Sequence, residues 1–549
     1  MSSQLLPPEH YQLVDRESSD YGQPHEHSQA DLETEQLIKS NYVDRPTLRS
    51  RTLLSYIPLR IRRLFKRSRG RISHSRLPRH GQYCRVPFSR RVLLFLILIG
   101  GGLLVLVTFI GIFRPSYTHL PPHYAALKAK SLESNELGRA NPLNEKIFIA
   151  ISLYDKGGHL ASGTWGQTIL DLIDLLGHNN VFLSIYENDS GDDGTAALDT
   201  FKTKVKCEHE IVSEAHVSKG LFPKITLPDG TERLKRITYL SEMRNRALRP
   251  LDQATATVYD KMLILNDISF YPIDAAQLLF STHADIEGKA NYLAACAVDF
   301  VNPMKFYDTY ATRDMEGYSM GVPFFPFFSS AGGAHSRHDV LNQKDAVRVK
   351  SCWSGMVAFD AKYFQSSSKV PVNGSQEIGF HNIPPANPKA VSTPVRFRAE
   401  PEIFYDACEC CLIQADVLRV AQRPNVEEDT GIYFNPYIRV AYSPTHLWWL
   451  QFTRRFERLY SIPHWIVNKL ARMPTFNPHR TVEEGDEFSE EIWVPDSQKQ
   501  KNGSWQIATR SARNGLYCGV RETQVILQTA RKGDKNWENV PVPRGSKLW

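Results

Sequence analysis

Between residues 145 and 300 the chain alternates two hydrophobic rhythms. KIFIAISLY (146–154), NNVFLSIYE (179–187), KMLILND (261–267) and NYLAACAVDF (291–300) are short apolar runs rich in β-branched and aromatic residues. That is the pattern of strands buried on both faces. Residues 165–176 and RITYLSEMRNRALRPL (236–251) instead repeat apolar residues at helical spacing. Strand, helix, strand, helix, strand predicts an α/β fold on an open, largely parallel sheet. Residues 301–349 are aromatic and irregular, while SCWSGMVAFDA (351–361), FRAE (397–400) and ECCLIQADV (409–417) resume recognisable elements. After about Met473 the chain turns polar and charged, as in TVEEGDEFSEE (481–491), and this last part is expected to be loosely structured or peripheral.

One run is far longer than the others. VLLFLILIGGGLLVLVTFIGIF (92–113) is 22 residues without a charge, enough for a helix to cross roughly 30 Å of hydrocarbon. It is too long and too far from the N-terminus to be a cleaved signal peptide. Residues 49–91 carry fourteen Lys or Arg and no acid, whereas 114–144 carry four basic residues and two Glu. The excess of positive charge on the N-side predicts a single-pass type II protein, with residues 1–91 cytosolic and everything from 114 onward lumenal. The formal net charge of +7 is due to that basic tract, whose fourteen positive charges the rest of the chain partly offsets. Because the tract abuts the membrane and lacks interleaved aromatics, it speaks against nucleic-acid binding. Residues 114–144, with Pro115, Pro121, Pro122 and Pro142, read as a stem holding the next domain away from the bilayer. The expected organisation is therefore a basic tail (1–91), a transmembrane helix (92–113), a stem (114–144), a catalytic domain (145–475) and a polar C-terminal extension (476–549).

Ligands of open α/β sheets bind beyond the carboxyl ends of the strands. Two predicted strands end in acids. One runs into YENDSGDDGT (186–195), with Glu187, Asn188 and Asp189 at its start; the other runs into Asn266 and Asp267. A single Asp/Gly cluster is an ordinary surface turn, but two acidic ends in one predicted sheet point to a shared rim. There Asp267 can hold a divalent cation bridging the phosphates of a nucleotide-sugar, and hard oxygen donors suit Mn2+ or Mg2+. Asn266, Asp267 and Ile268 offer that cation one carboxylate.

Seven of the eight cysteines follow the apolar run, in a compartment that permits disulfides. CECC (408–411) lacks the paired spacing of a zinc site, and disulfides from two of its cysteines to Cys352 or Cys207 are expected instead. Sequons stand at Asn188, Asn373 and Asn502. Asn373 is the expected glycan carrier, because a glycan on Asn188 would block the acidic turn.

Taken in order, YENDSGDDGTAALD (186–199), AACAVDFVNPMKFYDTYATRDMEG (294–317), SCWSGMVAFDA, ECCLIQAD (409–416) and NPYIRVAY (435–442) resemble the fungal capsule-associated family typified by the cryptococcal α-1,3-mannosyltransferase. The alternation of strands, acidic ends and the RNRAL helix is similar to GT-A glycosyltransferases. The resemblance covers roughly residues 145 to 445. It implies transfer of mannose from GDP-mannose to a glycan acceptor in α-1,3 linkage, with a divalent cation, by a Golgi membrane protein; retention at the anomeric carbon is expected. Residue by residue it implies Glu187 and Asp189 near the nucleoside, Asp267 with Asn266 at the metal and diphosphate, and Arg244 and Asn245 orienting the donor. Asp299 and Asp314 are expected to touch donor sugar or acceptor hydroxyls, and Glu409 to act at the acceptor or reacting centre. Trp353 and the run Phe324, Phe325, Phe327, Phe328 offer faces for stacking on sugars, although such aromatics are more often core. Two other readings stay open: the same fold with UDP-xylose or UDP-galactose as donor, or a catalytically silent scaffold subunit of a polysaccharide-synthesising complex.

Overall fold

The structure, a computed structural model, describes residues 88–253, 257–365, 393–496, 503–527 and 536–545. The cytosolic tail expected upstream, Cys84, and the sequons at Asn373 and Asn502 lie outside them. Helix α1 (Phe88–Phe113) contains the apolar span Val92–Phe113, with a mean hydropathy of 2.9 and its window unburied. It has the length and composition of a single-pass anchor.

Helix α2 (Pro122–Glu133) leads into β1 (Ile147–Leu153), α3 (Thr164–Leu176), β2 (Val181–Asn188), α4 (Gly191–Lys202), β3 (Glu208–Glu214), α5 (Arg236–Leu248), β4 (Lys261–Leu265), α6 (Pro272–Ser281) and β5 (Ala294–Asn302). There follow β6 (Arg313–Asp314), β7 (Val347–Ser351), β8 (Met356–Asp360), α7 (Glu409–Ala421), β9 (Ile432–Ala441), α8 (Pro444–Thr453), α9 (Ser461–Ala471) and the hairpin β10 (Glu487–Pro495) with β11 (Gly503–Ser511). The apolar runs are strands because both their faces are covered. Ile147, Ile149 and Ile151 of β1 share a core with Ile169, Leu172 and Leu278 of the flanking helices, while Phe148 and Ala150 share another with Met243 and Leu248. Helix α3 buries the stripe Trp165, Ile169, Leu172, Ile173 and Leu176, and it stops at Gly177, whose φ of 92° suits glycine.

The ten-stranded sheet runs β3-β2-β1-β4-β8-β5-β9-β7-β6, with Lys305–Phe306 paired to β5. Strands β3, β2, β1 and β4 are parallel, as are β5 and β9. Strand β8 lies antiparallel between β4 and β5. The sheet is thus mixed rather than simply parallel. Two reversals restore direction across β8, so β1, β2, β4, β5 and β9 all end at one rim, where β8 begins.

Three expectations need correction. The stem is not a spacer: Tyr124 of α2 is fully buried, with its hydroxyl 3.1 Å from Asp345 and 2.8 Å from Asn435. The described residues after Met473 are not peripheral either. Ile526 donates to the Leu234 carbonyl at 2.8 Å, residues 519–520 pair with residues 406–407, and Cys518 is joined to Cys411. Nor do CECC cysteines reach Cys352 or Cys207: Cys352 pairs with Cys296, while Cys207, Cys408 and Cys410 are free thiols. Both bridges tie together segments far apart in sequence, a relation spacing alone does not encode.

Candidate active site

Strand β2 delivers Glu187 to the rim with its carboxylate already engaged. Oε1 accepts from the Ser190 amide at 2.9 Å and Oε2 from the Ser213 hydroxyl, and the residue is buried. Asp189 follows in the left-handed region, φ 63°, accepting from Asn188 at 2.6 Å and Tyr239 at 3.3 Å and lying 2.8 Å from His216. Asn188 Nδ2, the atom a glycan would take, is spent on Asp189 and on Tyr239, 2.6 Å away.

Glu187 pairs in register with Leu153, and Ile151 with Leu265. Strand β1 thus lies between β2 and β4, and Asp267 follows two residues after Leu265, the last paired residue of β4. At the β4 end, the Asn266 amide donates to the Gly355 carbonyl (2.8 Å), its own carbonyl accepts from Trp165 Nε1 (3.2 Å), and its Oδ1 accepts from Arg244 Nη1 (3.3 Å). Asp267 is exposed.

Arg244 binds this end of the sheet to α7. Its Nε donates to Glu409 Oε1 at 3.1 Å, and its guanidinium lies 4.5 Å over the Trp353 ring and 5.7 Å from that of Phe397. Burial alone would weaken the charge of Arg244. The surrounding Cys410, Glu409 and Cys408 outweigh it and push its pKa up. Glu409 owes its place to the first turn of α7, beside the Cys411–Cys518 bridge.

A second carboxyl pair stands beside it. Asp299, at the end of β5, is fully buried; it accepts from the Asp308 amide (3.2 Å) and from the Tyr442 hydroxyl (3.1 Å). Asp308 in turn accepts from the Ser354 amide at 3.0 Å and the Ala311 amide at 3.2 Å. Burial, reinforced by Asp308, pushes the Asp299 carboxyl up to about 8, and burial raises Asp308 as well, so the pair holds a proton near neutrality. Tyr442 is pushed well up by burial and then by Asp299, Tyr307, Asp267 and Asp308, which places Asp267 in the same electrostatic neighbourhood.

Between these groups the start of β8 is strained and unsatisfied. Ser354 has φ 59°, and neither its buried Oγ nor the buried Nε1 of Trp353 has a hydrogen-bond partner among the described residues. Orphaned polar atoms and a left-handed non-glycine residue together mark a place built for something other than stability.

Two expected site residues point elsewhere. Asn245 clamps the Phe397 backbone, donating to its carbonyl and accepting from its amide at 2.8 Å each. Asp314 closes its own turn on the Glu316 and Tyr318 amides, at 3.0 and 2.8 Å, and burial pushes it up to about 7. The aromatics are core: Trp353 carries Arg244, and Phe325, Phe327 and Phe328 are buried. Asp308, Ser354, Tyr442 and Trp165 were not singled out from sequence. Asp308 alone had a signal, as an acid amid the aromatic residues of FYDTY.

The family model described as cryptococcal mannosyltransferase 1 matches residues 146–416. Over that region, just under half of the chain, the protein is similar to the cryptococcal mannosyltransferase family. The mannosyltransferase match runs from β1 into α7 and takes in every rim residue described above except Tyr442. Among solved structures, the mannosyltransferase PcManGT from Pyrobaculum calidifontis, in complex with GDP-Man and Mn2+, is similar at 11% identity over 66% of this chain and 74% of that one, with a TM-score of 0.29. No curated protein matches the chain.

Proposed function

We propose that this protein is a metal-dependent, retaining mannosyltransferase that moves mannose from GDP-mannose to a glycan acceptor in α-1,3 linkage, as a Golgi type II membrane protein with its catalytic domain in the lumen. The observation that carries the reading is the meeting of Asp267, Arg244 with Glu409, and the Asp299–Asp308 pair around unsatisfied atoms at the rim of a mannosyltransferase-family domain.

The exposed carboxylate of Asp267 fits a hard divalent cation, Mn2+ or Mg2+, whose other ligands are water and phosphate oxygens. Asn266, held by Arg244, lines that position and aims Asp267. When bound, the cation supplies neutralisation of the departing diphosphate. Arg244 is preorganised to add to it, because Glu409 and the Trp353 face fix a guanidinium that stays charged. Asp189 and its brace Glu187 form the nucleoside side of the rim, one strand beyond β1. Asp299 with Tyr442 holds the loop that presents Asp308, whose carboxylate also accepts from the Ser354 amide. Asn245 and Asp314 serve the fold around this site.

Transfer by the purified full chain from GDP-mannose, UDP-xylose and UDP-galactose tests the reading. Product from GDP-mannose alone, dependent on Mn2+ or Mg2+, is expected. Product from a UDP-sugar and none from GDP-mannose selects the other donor class, and no transfer from any donor favours a silent scaffold.

A further inference from the structure

Helices α8 and α9 both turn apolar side chains to the outside. On α9 the polar residues face inward: Asn468 Oδ1 accepts from the Val322 amide at 2.7 Å, and His464 Nδ1 lies 3.0 Å from Arg337. Its outer face is Ile462, Trp465, Ile466 and Leu470, with Ile462 72% and Leu470 77% exposed. On α8, Leu447 and Leu450 are buried while Trp448, Trp449 and Phe452 stand outside. A contiguous exposed apolar face of this kind marks an interaction surface.

Continuity with α1 identifies the occupant. The last turns of α1 pack on the 3-10 turn Arg454–Tyr460, with Gly111 against the Phe456 ring. From Phe456 the aromatic rings continue to Phe452 at 5.2 Å, Trp449 at 6.1 Å and Trp448 at 5.1 Å. The face therefore starts at the end of the apolar span and runs away from it. Charge agrees: the one acid between residues 443 and 472, Glu457, is buried and paired with Arg439 at 2.8 Å. The exposed charges there are cationic, and Lys469 lies 3.8 Å over the Trp465 ring, as a side chain reaching toward headgroups does. Reach agrees as well. Four residues after Phe113, Tyr117 is buried in the domain, its hydroxyl 3.1 Å from the Val340 carbonyl, so the tether spans at most about 14 Å.

We infer that α8 and α9 are a monotopic membrane-docking surface: the domain lies against the bilayer, with Trp448, Trp449, Trp465 and their apolar neighbours in the interfacial layer on the side where α1 emerges. The inference rests on α1 being a membrane anchor. Trp at the headgroup level with apolar residues below is the composition such a surface requires.

Spin labels test it in the full chain reconstituted into phosphatidylcholine vesicles. Labels are placed by Ile462→Cys and Leu470→Cys, by Leu104→Cys in α1 as the lipid reference and by Ile507→Cys on β11 as the water reference, all in a Cys84→Ser background. The remaining free thiols, Cys207, Cys408 and Cys410, are buried. Labels at 462 and 470 are expected to collide with dissolved oxygen as the label at 104 does, and to lose the collisions with a water-soluble nickel complex that the label at 507 keeps. Nickel collisions equal to those at 507 overturn the inference. So does protection from both reagents, which means a second protein copy covers the face. A label at 104 that meets nickel freely removes the anchor and the inference with it.

Discussion

The rim has two acidic strand ends, and they are built differently. At the end of β2 the partners named for Glu187 and Asp189 come from the turn itself, from neighbouring β3 and the residues just after it, and from α5. At the end of β4 the partners come from across the chain: Trp165 from 101 residues upstream, and Glu409 reaching Arg244 over 165 residues. Both ends carry a left-handed residue, Asp189 and Ser354, but the first end is satisfied and the second holds the unpartnered Ser354 Oγ and Trp353 Nε1. A carboxylate with both oxygens engaged by its own turn and the next strand braces the backbone. Groups held in place by distant segments, with partners still missing, are prepared for a ligand.

Substitutions at the two ends should therefore behave differently. The largest effect is expected for Asp267→Ala, with transfer falling by about 10²–10³-fold, the size seen when one preorganised charge-stabilising group is removed. Turnover measured against Mn2+ concentration checks it; unchanged rate and unchanged metal dependence break the comparison at its centre. Next is Arg244→Ala, which leaves the buried Glu409 carboxylate without its cation and should cost about 3–5 kcal/mol of stability. Adding Glu409→Gln should return part of that loss in denaturant titration, since both buried charges are then gone.

A smaller effect is expected from pH. The Asp299 carboxyl ionises near 4 in the unfolded chain but only at about 8 in the fold. The folded state therefore keeps a proton the unfolded state has released. This group's contribution is full below about pH 4 and is lost as pH rises toward 8. Asp299→Asn should flatten that part of the Tm-against-pH curve; an unaltered slope means Asp299 is not the protonated member. The smallest effect is expected at Glu187→Gln: a loss of about 1 kcal/mol for the weakened turn bonds, with turnover close to that of the parent. A collapse of turnover as deep as that of Asp267→Ala erases the distinction between the two ends.

The strands and helices of the domain were legible because each apolar run has to satisfy one local rule, burial on two faces or on one stripe. Val181–Asn188 and Lys261–Leu265 fall within two residues of their expected bounds. The antiparallel β8 was not legible as such, because a five-residue apolar strand reads the same in either direction. Glu187 and Asp267 were found from their positions after apolar runs. Asp308, Ser354 and Tyr442 lie in irregular or aromatic stretches where no period marks a side chain. Asn245 and Arg244 are adjacent on one helix, and nothing in RNRAL says which turns to the Phe397 backbone and which to the rim.

Length, apolar periodicity and the order of acidic strand ends are properties of neighbouring residues, so the sequence by itself determined the membrane-length helix, the α/β sheet and the rim where chemistry is expected. Which groups meet at that rim, how the cysteines pair, that residues 114–144 dock, and that α8 and α9 turn their apolar sides outward were decided only by tertiary structure. Those outcomes depend on which surfaces remain after long-range packing, and no local pattern carries that information.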